Sequence, residues 1–286
     1  MQLASVIVDG QPALAAQTER GVVPLEVREA FPHQTLKSVL RAGATGWAAA
    51  EAASQRGRPL PLTQVQFRPL IPDASKLICV GRNYAEHARE QGAEVPQEPL
   101  IFAKAPSALH PHQGEIQLPK PSDQVDYEAE LVVVIGRRAW QVPQAEALDY
   151  VAGYCCGNDV TARDWQKQKP GQQWLLGKSF DTFAPLGPWL VSSREVVDPG
   201  SLQVQMQLNG RVVQNGHTSQ MMFPVDFLIA YLTQVMTLEV GDLIFTGTPA
   251  GVGVAQDPPR FLQPGDHLAV EIDGVGRLEN RVVAAR

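Results

Sequence analysis

The chain reads as a β-rich α+β fold with a small leading domain, and three observations predict this. Short apolar runs recur at residues 76–80, 100–102, 131–135, 202–208, 243–246 and 267–272, separated by Gly, Pro and Asp, which is the punctuation of strands joined by turns. Helical periodicity is confined to a few segments, of which 225–234 is the clearest. Strands and helices do not alternate regularly, so a parallel βαβ architecture is not expected.

The elements follow in order. Residues 5–8, then Gly10, then 12–15 predict a hairpin. Segments 35–41 and 46–55 predict helices, the second stopped by Gly57. Prolines at 59, 61, 69 and 72 mark a connector. The boundary therefore falls at 72, with a small α+β domain over 1–72 and a main domain over 73–286. The main domain opens with strand 76–80. Asn83 followed by Glu86 has the form of a capping box, which predicts a short helix through Glu90. Residues 91–99 carry Gly92, Pro96 and Pro99 and read as a mobile loop able to close over a site.

Bulk properties narrow the function classes. The 286 residues are 44% hydrophobic and 19% charged, ordinary for a protein with a real core. A net charge of -6 gives no electrostatic support for nucleic acid or an anionic membrane as a partner. No apolar run approaches the ~20 residues that span a bilayer, and the first residues lack the basic start of a signal peptide. Cys79, Cys155 and Cys156 are odd in number and two are adjacent, which argues against a disulfide framework and for small apolar packing. A reduced, cytoplasmic compartment is expected.

The chemistry concentrates in Val125-Asp126-Tyr127-Glu128-Ala129-Glu130, which leads into the run Leu131–Ile135. Alternate residues of a strand share a face, so Glu128 and Glu130 are expected side by side, with Asp126 on the same face. Adjacent carboxylates at the mouth of a buried strand repel each other and need a cation. A hard divalent ion such as Mg²⁺, Mn²⁺ or Ca²⁺ suits oxygen ligands, and Asp159 can supply a third carboxylate. Strand-end carboxylates are also commonly solvated, which is the plainer alternative.

Other residues add to this. His87 and Glu90, three apart on the short helix, form a pair in which a carboxylate orients an imidazole as general base; a surface helix produces the same spacing without function. Lys178 stands among apolar residues and can offset anionic charge, or can be a turn lysine. The loop 246–253 can present backbone N–H groups and the Thr248 hydroxyl to a carboxylate, or simply turn. It is no Walker loop, and no Gly-x-Ser-x-Gly elbow exists. His110-Pro111-His112 lacks further ligands at metal spacing and reads as a loop.

Together, Gly81-Arg82-Asn83-Tyr84 with His87 and Glu90, Asp126-Tyr127-Glu128-Ala129-Glu130-Leu131, Asn158-Asp159-Val160-Thr161-Ala162-Arg163-Asp164, Gly177-Lys178-Ser179-Phe180-Asp181 and Phe245-Thr246-Gly247-Thr248-Pro249-Ala250-Gly251-Val252-Gly253 resemble the fumarylacetoacetate hydrolase family, in that family's order. The stretches around Trp165 and Trp174 are similar to its domain-containing protein 2 type. The resemblance implies a β-roll of stacked, mostly antiparallel sheets and a homodimer. It implies Glu128, Glu130 and Asp159 as ligands of Mg²⁺ or Mn²⁺, with Ca²⁺ a possible occupant in a crystal. His87 and Glu90 become a lid dyad and Lys178 a catalytic cation. Arg82, Tyr84, Gly247 and Thr248 become substrate contacts.

The expected activity is metal-dependent chemistry on a small 2-oxo (di)carboxylic acid through an enolate. C–C bond hydrolysis of an acylpyruvate or fumarylpyruvate type is the first expectation. Isomerisation, tautomerisation or decarboxylation, of oxaloacetate or 2-hydroxyhepta-2,4-diene-1,7-dioate type, is the alternative, and a non-catalytic metal-binding protein is the second.

Overall fold

In the computed structural model, residues 1–25 and 35–285 are described. Among them, two stacked sheets carry the fold. The larger has eleven strands, and its central path runs Gly21–Pro24, Gln11–Thr18, Gln2–Val8, Ala184–Ser192, Val151–Asn158, Ala129–Ile135, Leu243–Phe245, Leu77–Gly81 and Leu100–Lys104. Neighbours on this path are antiparallel except where Leu243–Phe245 meets Leu77–Gly81. The second sheet orders Arg211–His217, Gln203–Leu208, His267–Ile272, Gly276–Val283 and Glu115–Gln117. The β-rich α+β class and the stacked, mostly antiparallel sheets are thus as expected, and both sheets remain open.

Central strands read as continuous apolar runs because both their faces are covered. Every residue of Ala129–Ile135, Val151–Asn158 and Ala184–Ser192 is buried. In the second sheet, Gln203–Leu208 alternates buried and half-buried positions, the pattern of a strand with one wet face. The three cysteines are free and buried, as packing residues should be.

The leading region joins the main sheet rather than standing apart. The Gln2–Val8 and Gln11–Thr18 hairpin forms as expected, and Gln2–Val8 also pairs with Ala184–Ser192. Helices Leu36–Arg41 and Gly43–Arg56 follow. Helix Val225–Val235 buries Val225, Leu228, Ile229 and Leu232, a stripe at 3–4 residue spacing. No helix among the described residues is long and apolar enough to cross a membrane. His110 and His112 do not converge on an ion site; the His112 Nδ1 accepts a hydrogen bond from the backbone N–H of Glu279 at 3.0 Å.

Candidate metal centre

Two neighbouring strands build the acidic cluster. Ala129–Ile135 and Val151–Asn158 run antiparallel, with Ala129 opposite Asn158 and Glu130 opposite Gly157. The ladder continues one step further, since the Asp159 N–H donates to the Glu128 carbonyl at 2.9 Å. Glu128 and Asp159 therefore face each other across the strand ends. Glu130, two residues on from Glu128, projects to the same side. Ligand oxygens of the three lie within 4.8 Å of one another, and all three residues are buried.

Asp126 does not join them. The chain leaves strand geometry between Val125–Asp126 and Ala129, so the expected alternation stops. Asp126 instead accepts N–H bonds from Tyr127, Gly253 and Val254 and from the Arg163 Nε at 2.8 Å. The capping box at Asn83 is also absent. The helix Ala85–Glu90 starts after Tyr84 with no side-chain cap. Asn83 is spent on tertiary bonds instead, donating to the Phe223 and Thr246 carbonyls and accepting from the Phe223 N–H.

Cations reach the cluster from three directions, and two of them carry no role in the sequence reading. Lys178, at the end of helix Trp174–Lys178, bonds Glu128 at 2.8 Å and Asp159 at 2.7 Å. Lys104 closes strand Leu100–Lys104 and bonds Asp159 at 2.5 Å. Arg163 bonds Glu128 at 2.7 Å. The signal for Lys104 was a lysine ending an apolar strand; for Arg163 it was a position inside a quoted motif. A charge count of three carboxylates alone thus misdescribes the centre, because Glu128 and Asp159 are already neutralised by protein groups. Burial by itself would raise the Glu128 carboxyl, but Lys178 and Arg163 overturn it and hold Glu128 far below the usual range. Burial would likewise depress the Lys178 ammonium, yet Asp159 and Glu128 raise it.

Glu130 is different. It is 1% exposed and has no salt-bridge partner among the described residues. Its donor is the Gly247 N–H at 2.8 Å. Burial, then Asp159 and Glu128, push its carboxyl well above the ordinary value. A buried carboxylate facing like charges fits a divalent cation and little else the chain supplies. Cation binding must displace the proton that Glu130 favours. Apparent metal affinity should therefore fall as pH drops through the raised Glu130 pKa, by up to about tenfold per unit. Calorimetry in buffers of different ionisation enthalpy checks this: proton release on Mg²⁺ binding is expected, and its absence would contradict the assignment.

Gly247 and Thr248, expected to meet substrate, are committed to the cluster's frame. Gly247 sits at φ 99°, and a Cβ there would lie 2.7 Å from the Asn83 Cβ, so only glycine brings this N–H to Glu130. The Thr248 hydroxyl donates to the Ala129 carbonyl and accepts from the Gln214 amide, each at 2.8 Å. With its proton taken it cannot donate to a carboxylate, although its side chain still lines the cleft. The Tyr84 hydroxyl is buried without a partner, and burial followed by Glu130 raises it strongly.

His87 and Glu90 do meet. The imidazole Nδ1 lies 2.7 Å from Glu90 Oε1. A carboxylate only accepts, so Nδ1 carries the proton and Nε2 the lone pair. The Gln91 amide nitrogen lies 3.0 Å from that Nε2 and donates to it. The other Glu90 oxygen accepts the Gly251 N–H at 2.8 Å, which fixes the helix to the 246–253 loop. His87, Gln91, Arg82, Glu128, Glu130 and Lys178 line one cleft. Closed in this way it has a free volume of about 10 Å³, room for about one water.

Comparison with known proteins bears on this geometry. The family model for fumarylacetoacetate (FAA) hydrolase C-terminal matches residues 76–283. The human protein named oxaloacetate tautomerase FAHD2A, mitochondrial, is 42% identical over 275 residues, which is 95% of this chain and 88% of that one. The crystal structure of 5-carboxymethyl-2-hydroxymuconate delta-isomerase from Mycobacterium smegmatis aligns with a TM-score of 0.79 at 36% identity, covering 100% of both chains. Maleylpyruvate hydrolase from Sphingobium sp. SYK-6, in complex with manganese (II) ion and pyruvate, aligns with a TM-score of 0.84 at 28% identity, again over 100% of both. The cytoplasmic expectation is overturned: the human relative and cattle relatives at 44% and 43% identity are named mitochondrial. Its basis, the cysteine count, speaks only to reducing conditions, which more than one compartment offers.

Proposed function

Because the chain belongs to the fumarylacetoacetate hydrolase family, we propose that it interconverts the keto and enol forms of a small 2-oxo acid, using Mg²⁺ or Mn²⁺. The names of the relatives favour this tautomerase or isomerase alternative over the C–C hydrolysis expected first. The observation that carries it is the oriented base: Glu90 Oε1 lies 2.7 Å from the His87 Nδ1, which leaves Nε2 as the basic atom in the cleft that Glu128, Glu130 and Lys178 also line, and proton transfer at carbon asks for no attacking water.

Glu128, Glu130 and Asp159 would hold the cation, which would supply Lewis-acid stabilisation of a developing enolate. The side chains do the rest. Glu90 fixes the ring of His87 so that Nε2 is the basic atom. Nε2 takes a proton from the carbon beside the keto group and hands that same proton to the keto oxygen, and the reverse direction carries it back from oxygen to carbon. The Gln91 amide must first turn away from Nε2. Lys178 and Arg163 keep Glu128 ionised throughout the cycle.

The experiment follows enol absorbance of oxaloacetate with Mg²⁺ or Mn²⁺, with EDTA as control. The reading expects ketonisation faster than with the free ion, and a 10²–10⁴-fold lower kcat for His87→Ala at the same metal Kd. A rate no greater than that of the free ion would sink it. A second reading, C–C hydrolysis, is favoured by the oriented His87, which can activate water if substrate holds the lid open. Cleavage products from an acylpyruvate, lost in His87→Ala, would select it.

A further inference from the structure

Among the described residues, Trp174 is the largest side chain lining the cleft, and it has no part in the chemistry above. It opens helix Trp174–Lys178, four residues ahead of Lys178, so the two share a face of that turn. The indole is half-buried and closely seated. It packs edge to face with Phe102, the ring centroids 5.1 Å apart. The Arg82 guanidinium carbon lies over it, 5.6 Å from its centroid. On the strand side it rests against bare backbone. A Cβ at Gly81, the last residue of strand Leu77–Gly81, would stand 2.5 Å from the ring, so only glycine there leaves room for the indole.

The walls of the cleft differ in what holds them. His87 and Gln91 belong to helix Ala85–Glu90 and its cap, which the Glu90–Gly251 bond fastens to the 246–253 loop. The helix that carries Trp174 is anchored more firmly. Its Lys178 bonds both Glu128 and Asp159. A Cβ at its Gly177 would lie 2.7 Å from the Gln166 backbone nitrogen, so the two backbones are in direct contact. Lifting the His87 helix therefore moves the imidazole wall and leaves the indole wall in place. A ligand anchored at the Glu128–Glu130–Asp159 centre has to fit against a bulky, rigid surface. We propose that Trp174, seated on Gly81, sets the length of the substrate: it admits a 2-oxo acid as short as oxaloacetate and disfavours homologues lengthened by methylenes. The proposal rests on the reading above, in which the carboxylate and keto oxygen lie at that centre.

The test follows deuterium uptake by NMR in D₂O with Mg²⁺, at the carbon beside the keto group of oxaloacetate and of 2-oxoadipate, which is two methylenes longer. Each enol exchanges its hydroxyl proton with solvent, so the carbon gains deuterium when the keto form returns. The rate with Mg²⁺ alone is subtracted. Each acid is compared with itself across wild type, Trp174→Ala, Trp174→Phe and Gly81→Ala, so intrinsic acidity cancels. Trp174→Ala should raise kcat/KM for 2-oxoadipate about tenfold and lower that for oxaloacetate severalfold. Gly81→Ala, whose Cβ dislodges the ring, should shift the ratio of the two acids the same way, and Trp174→Phe should shift it least. An equal change for both acids in Trp174→Ala overturns the length limit. In parallel, malate and 2-hydroxyadipate are titrated calorimetrically into the Mg²⁺-loaded proteins, because they probe the wall without turnover. A wild-type preference for malate that Trp174→Ala loses, with no deuterium uptake by either keto acid, retains the wall and rejects the proposed reaction. Equal binding of the two by wild type overturns the wall.

Discussion

Glu130→Gln is expected to end metal-dependent turnover and yet to make the metal-free protein more stable. The substitution is nearly isosteric and removes a charge that burial, Asp159 and Glu128 all disfavour. Relieving a buried charge without a cationic partner should be worth on the order of 1–3 kcal/mol. The sign depends on pH. A carboxyl whose folded pKa is raised costs stability above that pKa, and the cost disappears as pH falls and the group protonates. The variant's advantage should therefore be largest at alkaline pH and should vanish in acid, where wild-type Glu130 is neutral too. Activity should drop about a thousandfold, the equivalent of about 4 kcal/mol of transition-state stabilisation. The stabilisation added by a hundredfold excess of Mg²⁺ over its Kd, about 2.7 kcal/mol in wild type, should be absent. Thermal melts across pH, with and without Mg²⁺, check all of this. A metal-free melt that falls at alkaline pH would mean that Glu130 is stabilised by something other than a cation.

Asp159→Ala should do the opposite to stability. Asp159 joins Lys104 at 2.5 Å and Lys178 at 2.7 Å, and all three side chains are buried. Truncating it leaves Lys178 with Glu128 alone and Lys104 with the Val160 carbonyl. Removing one partner from a buried ion pair costs roughly 3–5 kcal/mol. At about 2–4 °C per kcal/mol for a chain near this size, the melting temperature should fall by about 6–20 °C, even without metal. Asp159→Asn, which keeps the shape, should lose less. The two acidic substitutions thus move metal-free stability in opposite directions. Equal destabilisation by both would show that the cluster's charges are not partitioned as the geometry indicates.

The legible parts of this site were local ones. Glu128 and Glu130 are two residues apart at the mouth of an apolar strand, and the spacing brings them together because the ladder reaches one step past the strand, through the Asp159 N–H to the Glu128 carbonyl. His87 and Glu90 follow from helical spacing. Asp126 shows the limit, because alternation holds only while the strand continues, and two residues of irregular backbone turn its carboxylate to Arg163. Asn83 carried a capping signal, but three buried tertiary hydrogen bonds outweighed a local one. Lys104 was out of reach, since its meaning depends on Asp159, 55 residues away. The strands were readable from apolar runs; the sheet order, in which 2–8 lies beside 184–192, was not, because nothing local encodes a pairing across so much chain.

Glu90 holds two partners at once, the His87 ring and the Gly251 amide. The carboxylate that orients the imidazole is therefore the same one that fastens the helix to the 246–253 loop. His87 and Glu90 belong to one helix, so a lifted helix keeps its imidazole oriented and gives up only the Gly251 bond. Closure over the cleft therefore re-forms one backbone bond and does not have to rebuild the pair.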